Sequence, residues 1–221
     1  MNVTEPKEIA MLENLPEFVG EALSDVRAGL THTLYHAVDL RQGMSSLTLQ
    51  SLAFADHAPI PGKYTADGAG LSPPLHWGGV PAAATEVVLI VEDADSPTPS
   101  PLVHAIAHGM PPGESGAGAL AEGALGGPPP ATPLVPMGRN SLLQADWLPP
   151  DPPPGHGVHR YVFQVFALGP GTALPEVPGR DALVSAVQER GLASGCLIGT
   201  CERPSGSIPE QVGSSMRPAA G

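Results

Sequence analysis

Residues 86–92 read Glu86-Val87-Val88-Leu89-Ile90-Val91-Glu92. Five apolar residues in succession, most of them β-branched, predict a strand covered on both faces. Arg160 to Leu168 predicts a second central strand. Tyr161, Phe163, Val165 and Ala167 fall on one face, and Val162, Phe166 and Leu168 fill most of the other. Between them, Leu102 to His108 alternates. That places Leu102, His104, Ile106 and His108 on one face and Val103, Ala105 and Ala107 on the opposite one. Leu47-Thr48-Leu49 and Cys196 to Cys201 add shorter strands. Many strands with few helices predict a mainly β fold, a β-sandwich with peripheral helices.

The chain divides into an N-terminal helical extension (1–45), a β domain (46–203) and a frayed C-terminal tail (204–221). In the extension, Leu15-Pro16-Glu17-Phe18 has the signature of a helix start. Phe18, Val19, Ala22, Leu23, Val26 and Leu30 then share one helical face, with Gly29 near the end. This helix either packs on the domain or serves as a partner-binding or dimer-forming arm. Residues 111–137 are rich in Gly, Pro and Ala without periodicity, which predicts a long, mobile surface loop. Asp181 is placed to cap a helix bearing Leu183, Val184 and Val187 that stops near Gly191.

Composition narrows the function. The formal net charge is -12 and Lys7 and Lys63 are the lysines, so no basic stripe exists for nucleic acid or an anionic membrane surface. No apolar run reaches membrane-span length and no secretory signal is visible, so a cytoplasmic location is expected. The 27 Gly and 28 Pro belong to the loops, because the 42% of hydrophobic residues cluster into clear runs. Cys196 and Cys201 lie five apart on one strand, too far for a bond without a turn, and are expected as free, mostly buried thiols.

Two segments carry titratable groups next to strands. Asp93-Ala94-Asp95-Ser96-Pro97 follows the 86–92 run, with His104 close behind; Pro152-Pro153-Pro154-Gly155-His156-Gly157-Val158-His159-Arg160-Tyr161 enters the 160–168 run. Asp93 either shapes its turn or orients a histidine. His159 and Tyr161 share a face, while Arg160 points away and is expected to pair with an acid. An imidazole, a phenol and backbone amides form a donor set for phosphate or carboxylate oxygens. Asp93, Asp95, His104 and His159 also have metal-binding atoms, but no tight ligand spacing is present. Ser72 and Ser141 have neither a nucleophile elbow nor a partner base.

Taken in order, these motifs resemble the phosphatidylethanolamine-binding proteins, in particular their bacterial, Raf-kinase-inhibitor-like branch. Asp93-Ala94-Asp95-Ser96-Pro97 is similar to that family's Asp-Pro-Asp-Ala-Pro motif, Val103-His104 to its Val-His-Trp element, and Gly155 to Tyr161 to its Gly-x-x-x-His-Arg-Tyr element. Ile60 to Gly68, Ser72 to Trp77, Gly138-Arg139-Asn140-Ser141 and Gly199-Thr200-Cys201 resemble further landmarks, so the likeness covers about residues 46–203. It implies a Greek-key β-sandwich with a small anion-binding pocket formed by Asp93, Asp95, Pro97, His104, Pro152, His159 and Tyr161. Phosphate, a phospholipid head group or a carboxylate would be the ligand. Members also act as inhibitors of kinases or proteases. Ala94 stands where the motif has proline and Ala105 where many bacterial members have Trp. Asp151 adds negative charge before the double proline.

The function expected is therefore non-catalytic binding of a small anion, with no cofactor and no metal. A protein-interaction module and a weak hydrolase or metal enzyme are the alternatives. The histidines and Tyr161 are expected to donate to the anion, so that histidine protonation strengthens binding as pH falls towards about 6.

Overall fold

The computed structural model describes residues 17–37, 41–127 and 131–205. Its strands are β1 (Ser45–Ser46), β2 (Thr48–Gln50), β3 (Ala58–Pro59), β4 (Leu75–Gly78), β5 (Glu86–Asp93), β6 (Leu102–Met110), β7 (Ala117–Leu120), β8 (Met137–Gly138), β9 (His159–Leu168) and β10 (Gly191–Cys201). The helices are α1 (Glu17–Ala22) and α2 (Arg180–Arg190). A seven-stranded sheet has the order β1-β10-β9-β5-β6-β8, with β3 also paired to β10, and a three-stranded sheet has the order β2-β4-β7. β5 is antiparallel to both β6 and β9. Its side chains alternate between two cores, as an all-apolar strand requires. Val87, Leu89 and Val91 meet Phe163, Val165 and Trp77 between the sheets. Val88 and Ile90 meet Phe166, Leu183 and Val187 beneath α2. The mainly β sandwich expected from the sequence is thus formed, with the large sheet covered on both faces.

The alternation expected for β6 fails at two places. The register runs Val91↔Ala105 then Glu92↔Val103, so His104 is an extra residue on β6. A second slip lies between Val87↔Met110 and Leu89↔Ala107, beside Gly109 at φ 63°. A bulge of this kind re-aims a side chain. His104 consequently packs edge-on against Tyr161, with ring centroids 5.0 Å apart. Ile106 instead joins Val103 in the core under α2. The predicted shared face of His104 and Ile106 is therefore wrong, and the bulge is the reason.

The N-terminal helix is much shorter than its periodicity predicts. Leu15 and Pro16 lie outside the described residues, and α1 ends at Ala22. Val26 is 46% exposed instead of lying on a buried face. Beyond α1, backbone donors bind the loop after β5: Ala28 N–H donates to Ser96 O at 3.0 Å and Gly29 N–H to Ala94 O at 2.7 Å. Helices this short are marginal alone, and these tertiary bonds outcompete another helical turn. Further on, Leu34 is fully buried. Its N–H donates to Glu92 Oε2 at 2.9 Å, and Tyr35 N–H donates to Gln164 Oε1 at 2.6 Å. The fully buried Glu92 also accepts from Gln164 Nε2 at 2.8 Å and Arg180 Nε at 2.7 Å.

Two other expectations are corrected. Asp181 does not cap α2; Gly179 stands at the cap without a side-chain bond, and Asp181 lies in the first turn. Arg180 leads the helix because its guanidinium is drawn to Glu92. Residues 111–137 are not an unstructured loop, although 128–130 fall outside the described residues. β7 pairs with β4, and Leu120, Ala124 and Leu125 are buried in the core between the sheets. Residues 204 and 205 apart, the predicted tail lies outside the described residues. Among the described residues no helix is long and apolar enough to cross a membrane.

Glu92→Ala would remove the acceptor of the Leu34 amide, of Gln164 Nε2 and of Arg180 Nε, leaving Gln164 its 3.3 Å bond to Val162 O and Arg180 its bond from Nη2 to His32 O. Its urea unfolding midpoint is expected to report a loss of about 3–5 kcal/mol, the usual cost of breaking a buried ion pair. A loss below about 1 kcal/mol would show that the N-terminal segment is not anchored there.

Candidate functional site

Asp93 ends β5, and its two carboxylate oxygens have separate tasks. Oδ1 accepts the Asp95 N–H at 2.8 Å, closing the turn, and Oδ2 lies 2.7 Å from His159 Nδ1. Both alternatives the sequence offers for Asp93 are realised together. The His159 Nε2 lies 2.7 Å from His156 Nδ1, and His156 Nε2 lies 2.8 Å from the carbonyl oxygen of Leu23. Asp93, His156 and His159 are all buried. The Leu23 carbonyl only accepts, so His156 Nε2 carries a hydrogen. Three hydrogen bonds in series need three protons, whereas two neutral imidazoles beside an ionised carboxylate bring two. The chain closes fully only when one further proton is shared along it, which leaves the group neutral as a whole. Burial, and then the neighbouring His159, lower the pKa of His156 from its usual value.

His104 is fixed by a different carbonyl. Its backbone oxygen accepts from Leu148 N at 2.9 Å, and its Nδ1 lies 2.7 Å from Leu148 O. Nδ1 must therefore be the protonated nitrogen. Burial lowers the pKa of His104, outweighing the opposing pull of Asp93, so the ring is neutral near pH 7. Its Nε2 is then a bare lone pair, and it is buried without a partner. Where the sequence reading has His104 donating, its Nε2 thus stands as an acceptor. Tyr161, fully buried beside it, keeps its proton because burial raises the phenol pKa well above the usual value. The Asp151 N–H acts on the Tyr161 oxygen and lowers its pKa slightly against the effect of burial, while the phenol hydrogen finds no acceptor. Trp147 and Tyr161 flank His104, Trp147 with its ring centroid 6.3 Å away. An indole thus lies against His104 although Ala105 lacks one.

Other candidates take supporting positions. Asp95 accepts from Arg160 Nε at 2.7 Å, Nη2 at 2.8 Å and N at 2.9 Å, and lies 3.2 Å from Arg27 Nη1. Burial would raise its pKa, but the bonds from Arg160 and then Arg27 hold it below the usual carboxylate range. Arg160 therefore pairs with an acid as expected, and Asp95 is turned from His159 and Tyr161 towards it. Ala94 is fully buried and pinned on both sides: its N–H donates to Arg160 O at 3.0 Å and its carbonyl accepts from Gly29. The turn without the motif proline is held by these bonds instead. Asp151 and the Pro152 carbonyl are both bound by Arg203 Nη1, at 2.7 and 2.8 Å. The added negative charge at Asp151 thus faces a guanidinium. Pro97 is half-buried at the edge of the same turn. Among the described residues no group of three His, Cys, Asp or Glu is arranged to hold a metal ion.

Sequence reading missed His156, Gln164 and Arg27. A glutamine inside an apolar strand was the available signal for Gln164. Nothing local marks Arg27, whose partners lie about 130 residues away.

A family model described as phosphatidylethanolamine-binding protein matches residues 50–202. A UPF0098 protein of Methanothermobacter thermautotrophicus is 33% identical over 166 residues, covering 71% of this chain and 99% of that protein. A UPF0098 protein of Mycobacterium tuberculosis is 38% identical over 161 residues, covering 71% of this chain and 70% of its own. The crystal structure of a putative phosphatidylethanolamine-binding protein homologue from Chlamydia trachomatis superposes with a TM-score of 0.62 at 34% identity. It covers 72% of this chain and 99% of that one. E. coli YbcL, at 21% identity and a TM-score of 0.63 over the same 72% of this chain and 99% of its own, shares the fold.

Two thiols lie on β10, Cys201 opposite His159 and Cys196 opposite Gln164; both are free and half-buried. Burial pushes Cys196 up to about 12 and Cys201 to about 11. Alkylation by iodoacetamide at pH 8 is expected to run at least about a hundredfold slower than for an unperturbed cysteine, because the thiolate is the nucleophile. Unfolding in urea should restore the ordinary rate. A fast native reaction would show that burial does not hold these thiols protonated.

Proposed function

The chain belongs to the phosphatidylethanolamine-binding protein family, and from that premise we propose that it binds a small oxyanion, without turnover, at the adjacent polar atoms of His104 and Tyr161. The observation that carries this reading is the pairing of a bare acceptor, His104 Nε2, with a protonated phenol, both buried and both without a full partner. Buried polar groups of this kind gain by meeting a ligand that completes them. A ligand that donates one hydrogen bond and accepts another suits the pair. A phosphate monoester in its monoanionic form does both: its P–OH donates to His104 and a P–O⁻ accepts from Tyr161.

This reading keeps the expected pH trend but changes its cause. A phosphomonoester has its second pKa near about 6, so its monoanion grows as pH falls from 8 to 6. His104 stays neutral over most of that range because burial holds its pKa down. Methyl phosphate is expected to bind roughly tenfold or more tightly at pH 6 than at pH 8 by calorimetry. Dimethyl phosphate, which has no P–OH, should bind at least about tenfold more weakly than methyl phosphate at pH 6, and Tyr161→Phe should lose a similar factor. Equal affinity for the diester, or affinity that rises with pH, would refute the reading.

A further inference from the structure

In the geometry described, both ring nitrogens of His159 are occupied, one by Asp93 and one by His156. The histidine whose face is shared with Tyr161 therefore has no donor or acceptor left for a ligand. What holds His156 in place is the N-terminal segment. The Leu23 carbonyl fixes its far nitrogen, and Arg27 donates to Val158 O at 2.8 Å and to His156 O at 3.0 Å. The same arginine reaches Asp95 at 3.2 Å, while the amides of Ala28 and Gly29 bind the loop after β5. The segment thus staples together the two loops that carry Asp93 and His159. It lies outside residues 50–202, the part of the chain that matches the family.

His156 sits between Gly155 at φ 75° and Gly157 at φ 89°. Both are left-handed conformations open to glycine, so the ring is carried on a short flap with a glycine hinge on each side. The flap is held closed from outside by the segment and from inside by the bond to His159.

We propose that Gly20–Gly29 is an autoinhibitory strap: while docked, it holds His156 against His159 and withholds the His159 imidazole from an oxyanion in the pocket. Undocking lets the flap swing out and uncovers His159 Nε2 while Asp93 still holds Nδ1, freeing a contact to add to those of His104 and Tyr161. The inference rests on the oxyanion reading of the pocket for its effect on affinity, but not for the docking itself.

Gly20 provides the test. A Cβ there would overlap the carbonyl oxygen of Pro154. Gly20→Ala therefore pushes the strap off without altering a pocket residue, and the double variant G20A/R27A removes its main side-chain anchor as well. Three readouts are made on the full chain: hydrogen exchange of the amides of residues 23–29, the ¹⁵N signal of the His159 ring, and calorimetric titration with inorganic phosphate. Exchange is expected to rise at least about tenfold, the His159 Nε2 signal to lose its hydrogen-bonded character, and phosphate to bind about threefold or more tightly. Faster exchange with an unchanged His159 ring, or with unchanged or weaker phosphate binding, overturns the proposal. Unchanged exchange in both variants overturns it too, since the strap would not be held by these contacts. Phosphate that binds neither the parent nor the variants refutes the oxyanion reading instead, and the His159 signal then decides the strap alone.

Discussion

Asp93, His159, His156 and the Leu23 carbonyl form one line of hydrogen bonds with a full negative charge at one end and a backbone oxygen at the other. Both ends accept, so each end gap must hold an imidazole proton, and the middle gap closes when one further proton is shared between the rings. That requirement fixes the orientation of both rings, ties the last residue of β5 to the first of β9, and draws the N-terminal segment onto the domain. Buried polar groups are costly unless satisfied. Here satisfaction is reached by a carboxylate, two imidazoles and a carbonyl acting together, and removing any one leaves its neighbour buried and unpaired.

A second backbone carbonyl decides the polarity of the pocket. Leu148 O takes the proton-bearing nitrogen of His104 and so leaves Nε2 as an acceptor. The bulge that inserts His104 into β6 is what brings this lone pair next to Tyr161. A histidine on a strand reads, by residue type, as a donor to anions. In place it is the reverse, because one hydrogen bond to a carbonyl selects the tautomer and burial keeps the ring neutral. The proposed ligand class rests on this polarity more than on net charge: an acceptor beside a donor suits a group that brings its own proton.

The central strands were legible because a run apolar on both faces has one stable solution, burial on both sides, and Val87 to Val91 and, broken by Gln164, Tyr161 to Leu168 realise it. The pairing of Arg160 with an acid was legible from strand parity. Parity failed at His104, since a bulge is set by the register of two strands and leaves no local mark in either. The N-terminal helix failed for a related reason. Its apolar spacing is real, but the amides of Ala28 and Gly29 find better partners in the loop after β5 than in another turn. Gly and Pro hid the β7 edge at 117–120, where the strand is short and mostly built of small residues. His156 was visible only as part of a turn, because its role depends on a carbonyl about 130 residues away.

The central claim is that two backbone carbonyls set the tautomers of the site. Long-range ¹H–¹⁵N correlation of the imidazole rings at neutral pH reads this directly. The account predicts that His104 carries its proton on Nδ1 with a pyridine-type Nε2, and that His156 is protonated on Nε2. A protonated Nε2 on His104, or a bare Nε2 on His156, would contradict it.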